Sequence, residues 1–435
     1  MLDRKERSPE LDGLRGTAIL MVVVYHWVHN HSKSTILPHK LEGLLSYGWS
    51  GVDLFFVLSG FLIGGILLDA RDSANYFKVF CVRRSCRILP LYGALCLLSA
   101  AIFYAHIGTH AWLYDGSVPW YAYLTFGQNF WMAKADGAGF GAGNIAGITW
   151  SLAVEEQFYL TLPFVIRFAS RKSLPYVLGV GILLAPLIRI ALWFALGPVY
   201  GSKATYLLAP CRMDALLLGV LAACAVRSGA CWDWLVAHKG IIGTATVISG
   251  VGILQMIHKN INIFESPFVL VSFGYTLIAL FYLSVLLLAV TSRGFVSRLF
   301  RSRPLIELGI LAYGLYLLHE LVIGLVFGLA YKATPSFSSL STIGLTLLSG
   351  VLLFMLARLS WVYFERPLLK RGHRYEYSPM QLQRLAARNG DSRSVRGRPE
   401  DAEDSGRPLA SCTTFGGNDP EECWPVRSRK VWLGR

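Results

Sequence analysis

Apolar residues in this chain run in long unbroken blocks, not in the one-sided stripes of soluble helices or the alternation of half-buried strands. About ten blocks approach the twenty or so residues that a helix needs to cross a bilayer. They fall at roughly 14–30, 49–69, 88–107, 148–168, 174–196, 206–226, 240–258, 267–290, 304–330 and 340–364. Lipid offers no partner to a backbone N–H or C=O, so such blocks are helices that satisfy their own backbone. Between the third and fourth blocks, the stretch from Trp120 to Trp131 is too short and too polar to cross. With the glycine-rich run from Gly137 to Gly147, it reads as a re-entrant or interfacial segment that covers part of a cavity. The pattern predicts an all-α fold: a polytopic membrane protein of about ten transmembrane helices around a central cavity.

Composition agrees and adds a direction. Charged residues make up 16% of the 435, below the ~25% of an average soluble domain, and mean hydropathy is +0.47. A net charge of +14 would suit a nucleic-acid partner only if a folded soluble domain carried a basic face; here the basic residues gather in connections and in the tail. With the N-terminus in the cytoplasm, Arg4, Lys5, Arg7, the Arg71–Arg87 cluster, Arg167, Arg171, Lys172, Arg227 and Arg293 to Arg303 share that side. The far side keeps isolated lysines such as Lys33, Lys134 and Lys259. The positive-inside rule then makes both the N- and C-termini cytoplasmic.

The first apolar block follows basic residues but ends in Tyr25-His26-Trp27, with no small-residue cleavage site. It reads as a retained span in the cytoplasmic (inner) membrane, not a signal peptide. Eight scattered cysteines without a C-x-x-C pair predict neither a disulfide framework nor a zinc site. From about Arg366 the apolar periodicity stops. Residues 1–370 are expected to form the membrane domain, and 371–435 a disordered cytoplasmic tail.

Ionisable residues inside apolar blocks are costly, so each needs a reason. Arg15 and His26 lie eleven residues apart on the first block, about three helical turns and roughly 16 Å, on nearly one face. With Arg15 at one surface, His26 is near mid-membrane. It is either a functional group or a histidine satisfied by a nearby carbonyl. Asp53, Glu155, Glu156, Arg212, Asp214, His319 and Glu320 come from separate blocks but share the central-to-outer layer, as groups lining one cavity would. Ser151 and Glu155 share a helix face, while Glu156 is turned about 100° away and would suit a salt bridge to Arg212 or Arg189. Arg212 and Asp214, two apart, point to roughly opposite faces.

Phe77 to Pro90 reads as a cytoplasmic loop in which Arg84 and Arg87, one helical turn apart, either converge on a phosphate or serve as a topological anchor. His26, His29 and His31 could suggest a metal, but no carboxylate or thiol accompanies them at ligand spacing, so no metal is expected.

These residues fall in motifs that resemble the acyltransferase-3 family of bacterial integral membrane O-acyltransferases. The set runs Leu11-Asp-Gly-Leu-Arg15 with His26, Gly51 to Ile63, Arg84-x-x-Arg87 with Ile88-Leu-Pro90, and Thr149 to Tyr159. It continues with Arg212-Met-Asp214, Tyr313-Gly-Leu-Tyr-Leu-Leu-His319-Glu and Tyr363-Phe-Glu365-Arg-Pro367. Any one motif is weak, but the ordered set is specific. No esterase-like soluble domain is appended, so the chain resembles the standalone members.

The resemblance implies transfer of an acyl group, commonly acetyl, from acyl-CoA to a hydroxyl of a carbohydrate, lipid-linked sugar or other acceptor. It further implies His26 as the base, Glu155 as an essential acid, Arg15 along the donor path, and Arg84 and Arg87 on the coenzyme's phosphates. Asp53, Ser151, Glu156, Arg212, Asp214 and His319 would support the cavity or the substrate. On physics alone, a secondary transporter of a polar or acylated metabolite fits ten spans with midplane charges equally well, although no inverted repeat is visible. An acyl-enzyme relay is as compatible with the sequence as direct transfer.

Overall fold

The computed structural model describes residues 8–30, 37–104, 118–134, 145–259, 261, 268–292 and 294–378. Among them every regular element is helical. α1 (Pro9–Val24) passes unbroken into a π-helical segment, Tyr25–Asn30. α2 (His39–Ser46) leads through a tight turn into α3 (Gly51–Asp69), followed by α4 (Tyr76–Tyr104). Two short helices, α5 (Trp120–Leu124) and α6 (Gln128–Lys134), precede α7 (Trp150–Phe168). Next come α8 (Leu174–Leu207), α9 (Ala209–Arg227), α10 (Gly229–Ala237) and α11 (Lys239–His258). A second π segment, Leu270–Gly274, opens α12 (Tyr275–Thr291), which is followed by the short α13 (Phe295–Phe300) and α14 (Arg303–Ile310). α15 (Ala312–Tyr331), α16 (Leu340–Ser360), a third π segment at Trp361–Glu365 and α17 (Arg366–His373) complete the order.

Among the described residues seven stretches are long and apolar enough to cross a membrane, and one of them, Leu174–Arg227, holds both α8 and α9. The fold is that of an all-α, multi-pass membrane protein. α1 and α7 are not among the seven. Both carry polar side chains that lower their hydropathy, Asp12, Arg15 and His26 on one and Glu155, Glu156 and Gln157 on the other, and neighbouring helices shield them. Leu14, Ala18 and Val22 of α1 and Ala153 and Val154 of α7 have no accessible surface.

Small residues let the helices meet backbone to backbone, the contact that replaces the hydrophobic effect inside lipid. A Cβ on Gly60 of α3 would collide with the Leu216 carbonyl of α9, and one on Gly219 with the Val57 carbonyl. α1 is held in the same way: Gly13 lies against the Phe300 carbonyl, Gly16 against that of Leu305, and Gly309 against that of Asp12. Within α8, Gly197 adopts φ 76°, a left-handed conformation open to glycine, and with Pro198 it kinks the helix. The chain thus stays helical past the expected end of that span at 196.

Two buried ion pairs tie the same helices together. Arg212 of α9 reaches Asp53 of α3 at 2.5 Å and stacks 4.3 Å from the Tyr275 ring centroid. Arg189 of α8 reaches Asp214 at 3.0 Å and donates to the Val271 carbonyl at 2.8 Å. The opposite orientations expected for Arg212 and Asp214 are realised in two separate pairs. Neither arginine is left for Glu156, so the salt bridge expected there does not form.

Three readings change. The Phe77–Pro90 stretch is no loop but the first turns of α4, with Pro90 inside the helix. The 118–134 segment does not cover the cavity described below and contributes no residue to its wall. It is a clamp: the Gln128 amide donates to the Thr149 carbonyl at 3.0 Å and that of Asn129 to the Leu207 carbonyl at 3.2 Å, joining the start of α7 to the end of α8. The packed region also runs past 370, since Ser378 N–H donates to Asn75 at 2.9 Å and Arg83 to the Tyr375 carbonyl at 2.9 Å. The remainder of the expected tail lies outside the described residues.

Truncating one member of a buried ion pair strands the other charge, at about 3–5 kcal/mol. Arg212→Ala is therefore expected to lower the melting temperature of the detergent-solubilised protein sharply. Arg227→Ala, at the partly exposed pair with Asp69, should cost about 1 kcal/mol or less. Equal shifts of the two variants in a fluorimetric melt would show that the buried pair is not a brace.

Candidate active site

A cavity of about 240 Å³ opens between α1, α3, α4, α7, α15 and the C-terminal segment. Its wall takes Arg15 from α1, Ser59 from α3, Arg83, Arg84 and Arg87 from α4, and Tyr313 and Tyr316 from α15. α7 supplies Ser151, Glu155 and Tyr159. Those three recur every four residues, so they share one face, and Glu156 is turned away from the wall. Glu365, in the third π segment, closes one side, with Arg366 and Tyr377 beyond it.

The polar groups in this wall are arranged in layers. The Arg84 guanidinium lies 5.6 Å from the Tyr159 ring centroid, within electrostatic reach of Glu155 and Glu156. The Ser59 and Tyr159 hydroxyls hydrogen-bond to each other beside Glu155. Arg87 is within reach of Glu365, which accepts from the Ser360 hydroxyl at 2.9 Å. Arg15 stands 3.6 Å from Asp12, one turn away on α1. Two turns nearer the start of α7, the Ser151 and Tyr316 hydroxyls are 2.6 Å apart, and Tyr316 donates to the Ile148 carbonyl at 2.8 Å.

His26 and His319 do not line this cavity; they adjoin it at Tyr316. Their rings meet edge to face with centroids 4.9 Å apart, and the Tyr316 ring is 5.9 Å from that of His319. His26 Nδ1 lies 2.8 Å from the Val22 carbonyl, and His319 Nδ1 lies 2.6 Å from the Tyr316 carbonyl. A carbonyl only accepts, so in each neutral ring Nδ1 carries the proton and Nε2 keeps its lone pair. Glu320 Oε1 is 3.7 Å from His319 Nε2.

Of the two readings of His26, the geometry shows the carbonyl contact: Val22 faces one nitrogen, and the His319 ring packs edge to face against the imidazole. The same trio of His26, His319 and Glu320 offers ligand atoms within 4.8 Å of one another, the one group among the described residues with spacing to hold a metal ion. The carboxylate absent from the neighbourhood of His26 in sequence is brought there by α15. The side chains of His29 and His31 lie outside the described residues.

The expected site residues divide in two. Arg15, Arg84, Arg87, Ser151 and Glu155 meet in the cavity, and His26 and His319 meet beside it. Asp53, Arg212 and Asp214 belong to the buried ion pairs and take no part in the wall. The linear 3.6-residue reading of α1 put Arg15 and His26 on one face. The π segment that begins at Tyr25 changes the winding just before His26, so Arg15 reaches the wall and His26 reaches α15. Sequence reasoning gave no role to Tyr159, Tyr316 or Glu365. All three stood inside quoted motifs, and their fixed spacing from Glu155, His319 and Arg366 was the available signal.

The structure is that of a multi-pass membrane protein with an arginine-lined polar cavity beside a pair of packed histidines, His319 buried and His26 half-buried. The chain belongs to the acyltransferase-3 family, whose acyltransferase-domain model matches residues 8–359. It is 27% identical to the peptidoglycan O-acetyltransferase OatA of Listeria monocytogenes over 387 residues, covering 84% of this chain and 56% of that protein. It is 25% identical to the O-acetyltransferase OatA of Staphylococcus aureus strain MRSA252 over 395 residues, covering 87% of this chain and 60% of that protein. The chain therefore spans somewhat more than half the length of these relatives. No solved structure matches it.

For such a family the wall separates two adjacent acids. Glu155→Gln, inside the cavity, is expected to lower acyl transfer in membrane vesicles by about 100-fold or more, the range for a positioned acid or base. Glu156→Gln should stay within severalfold of the parent protein. Comparable losses in the two variants would mean that the cavity does not select between them.

Proposed function

We propose that this protein is a membrane O-acetyltransferase that moves an acetyl group from acetyl-CoA to a hydroxyl of a carbohydrate or lipid-linked sugar acceptor. In this reading ten helices cross the cytoplasmic membrane with both termini inside, so α4 and α17 stand at the cytoplasmic face where the donor is made. The observation that carries it is the juxtaposition of an arginine-lined cavity with a histidine pair, His26 and His319, each oriented by a backbone carbonyl at Nδ1.

The donor's phosphates lie on Arg84 and Arg87, and its thioester arm runs past Arg15 toward Tyr316, beyond which His26 waits. His26 Nε2 takes the proton of the acceptor hydroxyl as its oxygen attacks the thioester carbonyl. The C–S bond breaks, the acetyl group stays on the acceptor oxygen as an ester, and the CoA thiolate is protonated on release. The Val22 carbonyl favours the histidinium that forms by holding Nδ1–H, and His319 and Glu320 stand where they stabilise that charge. This chemistry needs no metal at the trio. The relatives, a peptidoglycan O-acetyltransferase and an O-acetyltransferase, support an acetyl donor and a cell-envelope glycan acceptor, and family membership favours transfer over transport.

His26→Ala is expected to abolish acetylation of envelope glycans, read by mass spectrometry, while the protein inserts at normal levels. Unchanged acetylation in that variant would sink the assignment. Arg84→Gln with Arg87→Gln should weaken acetyl-CoA binding about tenfold or more, since each charge-assisted hydrogen bond contributes roughly 1.5–3 kcal/mol. Unchanged affinity with inverted topology would instead mark the pair as an anchor.

A further inference from the structure

We propose that the segment from Arg366 to Tyr377, beyond the residues matched by the family model, forms the second half of a binding site for the nucleotide end of the donor. It takes an adenosine nucleotide bearing a diphosphate and a further phosphate monoester. This rests on the acyl-CoA reading and extends it to a segment whose residues had been given no role.

Three observations carry it. First, the segment is built against α4 and does not trail from it. A Cβ on Gly372 would sit 3.0 Å from Cys86 Cβ, Arg83 Nε donates to the Tyr375 carbonyl at 2.9 Å, and the Asn75 amide donates to the Glu376 carbonyl at 2.8 Å. Ala74 N–H donates to the Ser378 carbonyl at 3.1 Å. Arg366, His373 and Tyr377 are thereby set on the same cavity wall as Arg83, Arg84 and Arg87.

Second, the charge there is uncompensated. Five arginines line the cavity against three carboxylates, and one of those three, Asp12, is taken by Arg15. Elsewhere arginines find acids directly: Arg227 with Asp69, Arg301 with Glu10, Arg358 with Glu307 and Arg171 with Asp72. Arg83, Arg84, Arg87 and Arg366 have no ion pair among the described residues, and Arg84, Arg87 and Arg366 donate no hydrogen bond there. A half-buried guanidinium presents five donors, and several facing one space suit a ligand with several phosphate oxygens.

Third, the same wall holds an aromatic ring whose polar end is unpartnered. The Arg83 guanidinium lies 5.2 Å from the Tyr377 ring centroid, and the buried Tyr377 hydroxyl has no hydrogen-bond partner among the described residues. A ring packed on a cation, with a donor and acceptor to spare, fits a heteroaromatic base, which offers both a π face and a polar edge.

The test uses the full chain in neutral-lipid nanodiscs and measures binding of CoA, dephospho-CoA and 4′-phosphopantetheine by calorimetry. The parent protein should bind CoA at least tenfold more tightly than 4′-phosphopantetheine, with dephospho-CoA between them. Arg366→Gln and Tyr377→Leu should each weaken CoA severalfold to tenfold and leave 4′-phosphopantetheine within twofold, and Arg366→Lys should recover part of the loss. Equal affinity of the parent protein for CoA and 4′-phosphopantetheine overturns the nucleotide site while leaving the donor reading standing. No binding of any of the three overturns both. Losses for CoA and 4′-phosphopantetheine alike in the variants mean a structural role and overturn the proposal as well.

Discussion

The structure depends first on the crossing of α1 over α13 and α14 at the closeness of bare backbone. Gly13, Gly16 and Gly309 meet carbonyl oxygens with no room for a Cβ. Inside lipid, where one apolar side chain is no better placed against another than against a lipid tail, such contact gives van der Waals packing that lipid cannot match. Here it also sets a direction. With the start of α1 fixed, Arg15 falls on the cavity wall, and the far end of the same helix runs alongside α15, where His26 meets His319. A side chain at Gly16 would move both groups at once, because one rigid rod carries them.

Polar side chains in this bundle sort by whether a partner of opposite charge is in contact. Asp53 with Arg212 and Asp214 with Arg189 are in direct contact, further held by Tyr275 and Thr276. A desolvated charge whose partner is already in contact has little left to offer a ligand. Arg83 and Arg84 of the cavity are the opposite case: Arg83 is held by the Tyr377 ring and the Tyr375 carbonyl and Arg84 by the Tyr159 ring, with no ion pair for either among the described residues. The difference lies in which helix faces which. α9 turns Arg212 toward α3, which carries an aspartate at that level, whereas the wall that Arg84 faces places Glu155 in reach but not in an ion pair.

Much of this was legible in the sequence because membrane helices announce themselves by block length, and buried charge announces itself by rarity. Glu155 and Ser151 could be set on one face by spacing alone, and the wall agrees. What spacing could not supply was winding and partnership. The π turn at Tyr25 breaks the periodicity on which the placement of His26 rested. Asp53, Arg212 and Asp214 carried the same signal of costly burial as His26, and only the packing of α3, α8, α9 and α12 separates brace from site. The 118–134 segment was misjudged for a related reason. Its polarity suggests an interfacial segment over a cavity, whereas Gln128 and Asn129 are wholly buried and bind the backbone ends of α7 and α8.

Tyr316 gives the arrangement its logic. It lines the cavity with its hydroxyl tied to Ser151 and the Ile148 carbonyl, its own carbonyl holds His319 Nδ1, and its ring lies 5.9 Å from that histidine's. A reactive thioester arriving from the cavity would meet this side chain before it met His26. Under the proposed transfer that order matters chemically. Water can enter a cavity lined by five arginines, and a base in the same space would hydrolyse the donor. The proposed base is set one side chain away, half-buried itself and packed against His319, which with Glu320 is almost without accessible surface. Exclusion of water at the reacting carbon is then a property of one hydrogen-bonded residue and does not require the cavity as a whole to be dry.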